Sequence, residues 1–115
     1  MDSILKFIGR QEWIRFGIRD RLIRQFFSPE DGENKDFLID FFGFKYKGNT
    51  SSFLDWNVYF YGAYEKANLL LFQDILRSTD NSVCLDIGAN IGHHSLYMSN
   101  YSSSVHAFEP NPYVR

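Results

Sequence analysis

The chain has little that would cross-link it or carry it through a membrane. Its one cysteine, Cys84, excludes an internal disulfide, so a small core residue in a reducing compartment is expected. No apolar run approaches the roughly 20 residues of a membrane span. Lys6, Arg10, Glu12 and Arg15 break up the start of the chain before the apolar stretch of a secretory signal can form. These absences lead to the expectation of a soluble, cytoplasmic protein. Internal repeats and low-complexity segments are also missing. The formal net charge is only −2, which gives no strong nucleic-acid footprint.

What is abundant is aromatic. Twelve Phe and seven Tyr contribute to an 18% aromatic share within a 44% hydrophobic total, enough for a core built from bulky rings. The length of 115 residues suits one domain or less. Charge is unevenly spread: Met1 to Phe27 holds six basic and three acidic residues, net +3, against −5 for the other 88.

Between Ser3 and Phe27 the residues Ile4, Phe7, Ile8, Ile14, Ile18, Leu22 and Phe26 recur at spacings that suit one face of a helix, with Arg10, Arg15, Arg19, Arg21 and Arg24 on much of the remainder. The expectation is an N-terminal helix packed on the domain with a solvated arginine face; the alternative is a basic amphipathic helix lying on an anionic membrane. Gly9 and Gly17 each weaken such a helix by roughly 1 kcal/mol and mark places for a break. Ser28-Pro-Glu-Asp-Gly32 reads as a turn. Phe37 to Lys47 reads as a strand, or a pair bent at Gly43. Asp55 to Tyr64 resists assignment, and Glu65 to Arg77 has a helical pattern.

From Ser82 onward the order becomes specific. Val83-Cys-Leu-Asp-Ile87 reads as a buried strand, Gly88-Ala-Asn-Ile-Gly92 as a tight loop, His93 to Asn100 as a helix, and Val105 to Phe108 as a second strand ending in Glu109. One strand–helix–strand unit of this size brings the loop and the second acid to the carboxyl ends of adjacent parallel strands, where open α/β sheets bind ligands. Gly88 suits positive φ and close ligand approach, while Gly92 is expected to let the helix start close against the strand. Glu109, 21 residues past Gly88, stands where a carboxylate can accept hydrogen bonds from both ribose hydroxyls of an adenosine. A dinucleotide site places glycine where this chain has Asn90. Asp86 would repel a pyrophosphate and welcome a cationic amino group, which points to S-adenosyl-L-methionine.

Leu85-Asp-Ile-Gly-Ala-Asn-Ile-Gly-His-His94 followed by His106-Ala-Phe-Glu-Pro-Asn-Pro112 resembles the first two motifs of FkbM-type methyltransferases, and Asp55 to Lys66 resembles a segment preceding the first motif in part of that family. The resemblance implies an α/β fold holding the first βαβ unit of a Rossmann-like class I methyltransferase, with a division into residues 1–54 (N-terminal helix and small aromatic β segment) and 55–115 (start of the methyltransferase domain). It implies that Asp86, Gly88, Asn90 and Gly92 surround the methionine part of the cofactor, that Glu109 holds the ribose and that Asn111 sits beside the ribose or adenine. It further implies methyl transfer to an oxygen or another nucleophile of a small molecule, often a sugar, without a metal. Later strands supply much of the acceptor pocket in that family, so the chain is expected to be an N-terminal fragment with no nameable general base. Two rival readings stand beside it: a non-catalytic module that pairs its sheet edges with itself or a partner, and a nicotinamide dehydrogenase fragment. His93, His94 and His106 lack the spacing of metal ligands. Tyr61, Tyr64 and Glu65 are candidates either for closing over a ligand or for packing.

Overall fold

The computed structural model describes residues 1–30 and 34–114, so Asp31 and Gly32 of the expected turn lie outside the described residues. The protein is a mixed α/β chain of two compact units, Met1–Tyr64 and Glu65–Arg115.

The first unit opens with two helices where the sequence suggested one. α1 (Asp2–Gly9) stops at Gly9, and α2 (Phe16–Phe26) starts after a turn. Gly9 is set by space: a Cβ there would lie 2.6 Å from the Phe60 carbonyl oxygen. Arg19 Nη1 donates to the Gly9 carbonyl at 2.6 Å and so satisfies an end group of α1, which removes Arg19 from the solvated face predicted for it. The expected inward stripe is also overturned. Leu5 and Ile23 are buried, whereas Ile4, Phe7, Ile18, Leu22 and Phe26 are exposed. Splitting the helix resets the angular phase between its halves, so a single periodicity chose the wrong face.

β1 (Asp36–Phe41) and β2 (Phe44–Asn49) form an antiparallel hairpin with Phe41 opposite Phe44. Its turn, Phe42-Gly43, has φ of +50° and +91°, the handedness that a two-residue hairpin loop requires. Phe37, Phe41 and Tyr46 are buried, and Phe37 and Tyr46 meet α3 (Phe53–Tyr61), which spans most of the segment that resists assignment in the sequence. Ser52 accepts a bond from the Asp55 amide to start α3, and left-handed Gly62 ends it. Trp56, Val58, Tyr59 and Phe60 are all buried, and a helix apolar on most sides shows no amphipathic stripe to read.

The second unit begins with α4 (Lys66–Arg77) and continues with β3 (Val83–Ile87), α5 (His93–Ser99) and β4 (Ser104–Phe108). β3 and β4 pair in parallel, with Leu85 opposite His106 and Ile87 opposite Phe108. α5 packs on this pair and on α4, burying Leu69, Leu76, Tyr97 and Met98. The expectation that β3 is a buried strand fails on one face: Val83, Leu85 and Ile87 are exposed, and Cys84 on the opposite face is half-buried. No helix among the described residues is long and apolar enough to cross a membrane.

Candidate functional site

The end of β3, the loop after it and the end of β4 are tied together by backbone hydrogen bonds. The amides of Gly88 and Ala89 both donate to the Phe108 carbonyl, at 2.8 and 3.1 Å, which continues the parallel ladder into the loop. Gly88, Asn90 and Gly92 all have positive φ, at +81°, +50° and +81°. Two glycines meet that demand without a Cβ penalty, and Asn is among the few side chains that tolerate it. The Gly92 amide returns to the Ala89 carbonyl at 2.8 Å, which closes the turn, and Gly92 becomes the N-cap of α5.

Gly92 was expected to be glycine because the helix starts close against the strand. The reason is different: a Cβ there would meet no atom within 4 Å, so the requirement is its left-handed backbone. The same open space stands beside Gly88. The loop therefore presents an uncovered backbone to any ligand lying over it.

Glu109 follows β4 directly. Its Oε2 accepts the Asn90 amide at 2.7 Å and its Oε1 accepts the Asn111 amide at 2.8 Å. One carboxylate thus bridges the glycine loop and the turn after β4, and bonds of this charge-assisted kind are stronger than neutral ones. Each oxygen keeps a further lone pair, so two neighbouring hydroxyl donors can still be accepted. Asn111 is exposed, and its Oδ1 accepts the Tyr113 amide at 3.1 Å, which fixes its side chain in a local turn.

Asp86 is half-buried near the end of β3, and Ser95 Oγ donates to its Oδ2 at 2.6 Å. Ser95 was missed in the sequence, where a serine inside a short helix carries no signal; its role follows only once α5 folds back over β3. Asp86, Gly88, Asn90 and Gly92 thus lie on the end of β3 and the loop after it, and Glu109 and Asn111 in the turn after β4, with two carboxylates flanking the open glycine backbone.

Beside the loop, His94 Nε2 lies 3.6 Å from a Glu65 carboxylate oxygen, and the His94 ring meets Phe72 edge-on at 5.8 Å. The His93 ring lies tilted by 35° against His94, with ring centres 4.0 Å apart. Glu65, at φ +51°, caps the start of α4, so its pairing with His94 joins α4 to the first turn of α5. Tyr61 and Tyr64 have partners within the first unit. Tyr61 donates to Asp20 at 2.8 Å, and Tyr64 meets the Phe53 ring at 6.0 Å. Compared with protein-family models, with curated proteins and with solved structures, the chain matches none.

Proposed function

We propose that Glu65–Arg115 carries the cofactor half of an S-adenosylmethionine-dependent methyltransferase of the FkbM type, built on the first βαβ unit of a Rossmann-like sheet. The observation that carries this reading is the Glu109 bridge, in which one carboxylate both fastens the glycine loop and keeps acceptor capacity at the tip of β4. In this reading the free lone pairs of Glu109 take the two ribose hydroxyls. Asp86, held by Ser95, faces the cationic amino group of the methionine part, and the open backbone of Gly88 and Gly92 lets that part lie close. Asn111 borders the ribose or adenine.

S-adenosylmethionine supplies an electrophilic methyl group on a sulfonium that is its own leaving group. The protein's task is therefore to hold the donor so that an acceptor hydroxyl on a small molecule approaches in line. Asp86 would serve that task at the methionine part and Glu109 at the ribose, and neither moves a proton. Asn90 supports this cofactor over a dinucleotide, because its side chain occupies the position at which pyrophosphate needs glycine.

A second reading, a non-catalytic pairing module, draws on the exposed apolar face of Val83, Leu85, Ile87 and Phe108, since parallel sheets are normally covered on both faces. Calorimetry with S-adenosylmethionine, S-adenosylhomocysteine and NAD separates the readings. Binding of the first two is expected, whereas binding of NAD alone overturns the proposal. A folded, monodisperse chain that binds none of the three favours the pairing module. Glu109→Ala should cost roughly 1.5 to 3 kcal/mol of cofactor affinity. Glu109→Gln, which keeps the shape and one acceptor oxygen, should lose less.

A further inference from the structure

Helices α1 and α2 present apolar surface that the packing of their own unit does not use. Ile4 and Phe7 stand one turn apart on α1, and Ile18, Leu22 and Phe26 repeat every four residues along α2; all five are exposed. Trp13, in the turn between the helices, is 83% exposed, and Phe16 at the start of α2 is 56% exposed. Scattered apolar side chains need no explanation, but so many on two neighbouring short helices and their connection do.

The charges around them are sorted. Of the acids in this segment, Asp2 bonds to Lys35 and to the Tyr59 hydroxyl. Asp20 pairs with Arg24 at 2.9 Å and accepts the Tyr61 hydroxyl. Both are thereby paired within the unit, and Glu12, in the turn before Trp13, is the one exposed acid of the segment. Arg15 and Arg21 are exposed, set by helical spacing three residues either side of Ile18, and Arg10 is exposed while one of its nitrogens donates to the Tyr59 carbonyl at 3.5 Å. Lys6 on α1 and Arg10, the residue that follows its last, line an open groove with Ser3, Phe7, Ile39 and Asp40. Cations therefore border apolar side chains on both helices.

We propose that α1, the Trp13 turn and α2 form a peripheral docking surface for an anionic lipid bilayer. The apolar side chains enter the boundary between headgroups and acyl chains, Trp13 sits at headgroup level, and Arg10, Arg15 and Arg21 pair with lipid phosphates. Neither helix is long enough to cross a bilayer, so both lie along its surface. A two-fold pairing of this face with a second copy would bring two arginine-bearing surfaces together, whereas an anionic membrane neutralises them. The surface lies wholly within Met1–Tyr64 and is independent of the cofactor reading.

The full chain should co-sediment with vesicles of phosphatidylcholine mixed with phosphatidylglycerol, bind phosphatidylcholine alone far more weakly, and be released by high salt. Tryptophan emission should shift to the blue on binding, and Trp13→Phe should remove that shift because Trp56 is already buried. The double variant Arg15→Gln/Arg21→Gln touches only exposed side chains and should weaken binding by about tenfold or more, at about fivefold per arginine. Ile18→Ser/Leu22→Ser, checked for folding by circular dichroism, should lose about tenfold or more. Equal binding to neutral and anionic vesicles, or binding to neither, overturns the proposal. Sedimentation velocity showing a dimer that Ile18→Ser/Leu22→Ser abolishes would assign the face to a second copy instead.

Discussion

At Gly9 an added Cβ would meet the Phe60 carbonyl oxygen at 2.6 Å and Ile23 Cδ1 at 3.0 Å, while at Gly17 it would meet nothing within 4 Å. Both glycines lie in helices, where glycine costs about 1 kcal/mol relative to alanine. Gly17→Ala should therefore stabilise the protein by about 0.5 to 1 kcal/mol. Gly9→Ala should destabilise it by about 1 to 3 kcal/mol, because backbone has to move. Urea unfolding of the two variants checks this, and equal shifts would show that α1 does not pack closely on α3. The sequence marks both positions as weak points but carries no sign of the difference, which depends on a carbonyl 51 residues away. The glycine loop is more legible. Gly88 declares its positive φ by residue type, whereas the left-handed backbone that requires Gly92, and the role of Ser95 in holding Asp86, emerge only through the fold.

Among the elements, α3 is fastened on two sides by tyrosine–carboxylate bonds. Tyr46 of β2 donates to Asp55 at 2.5 Å, and Tyr61 of α3 donates to Asp20 of α2 at 2.8 Å. Asp55 also accepts the Asn49 amide at 2.9 Å, so it joins the end of the hairpin to the start of the helix. Gly48 in β2 leaves the necessary room, since a Cβ there would lie 2.9 Å from Asp55 Cγ. Burial, and then the bond to a carboxylate, raise both tyrosines above their ordinary value of 10.0. A group raised on folding keeps its full contribution below the unfolded value and loses it as the pH rises. Thermal stability should thus hold up to about pH 10 and fall above it, as the unfolded chain releases tyrosyl protons that the folded chain retains. Tyr61→Phe should lower stability near neutral pH by about 1 kcal/mol and make the alkaline fall shallower, as read by thermal melts across pH. An unchanged alkaline fall in both Tyr61→Phe and Tyr46→Phe would remove these bonds from the account. Ser52-Phe-Leu-Asp55 is a helix-start signature that the sequence does offer for α3. It is obscured because the helix behind it is apolar on most sides and its acid bonds to the hairpin.

For the whole molecule, the hairpin with α3 and the β3–β4 pair differ in how completely each buries its apolar residues. In Met1–Tyr64 the rings of Phe37, Phe41, Tyr46, Trp56, Tyr59 and Phe60 are all buried, and Phe37 meets Tyr59 at 4.8 Å. In Glu65–Arg115 the strand order is readable because it depends on local residue choice: an apolar run, a glycine loop, a helix, a second run. Exposure is unreadable because it depends on what packs against the sheet, and Val83, Leu85, Ile87 and Phe108 remain open. Local stability follows buried apolar contact and protected hydrogen bonds. Hydrogen exchange should therefore be at least about tenfold slower for the best-protected amides of β1, β2 and α3 than for those of β3 and β4, a difference of about 1.4 kcal/mol in opening free energy. S-adenosylhomocysteine should narrow that gap by slowing exchange in β3 and β4 together with Gly88 to Gly92, since a ligand that binds only the closed loop and the strands bonded to it stabilises them by mass action. Equal protection in β1, β2 and α3 and in the β3–β4 pair would contradict the difference in burial. A gap that ligand leaves untouched would count against the cofactor reading alone, because the unliganded difference rests on packing and the narrowing rests on Glu109 and the loop it holds.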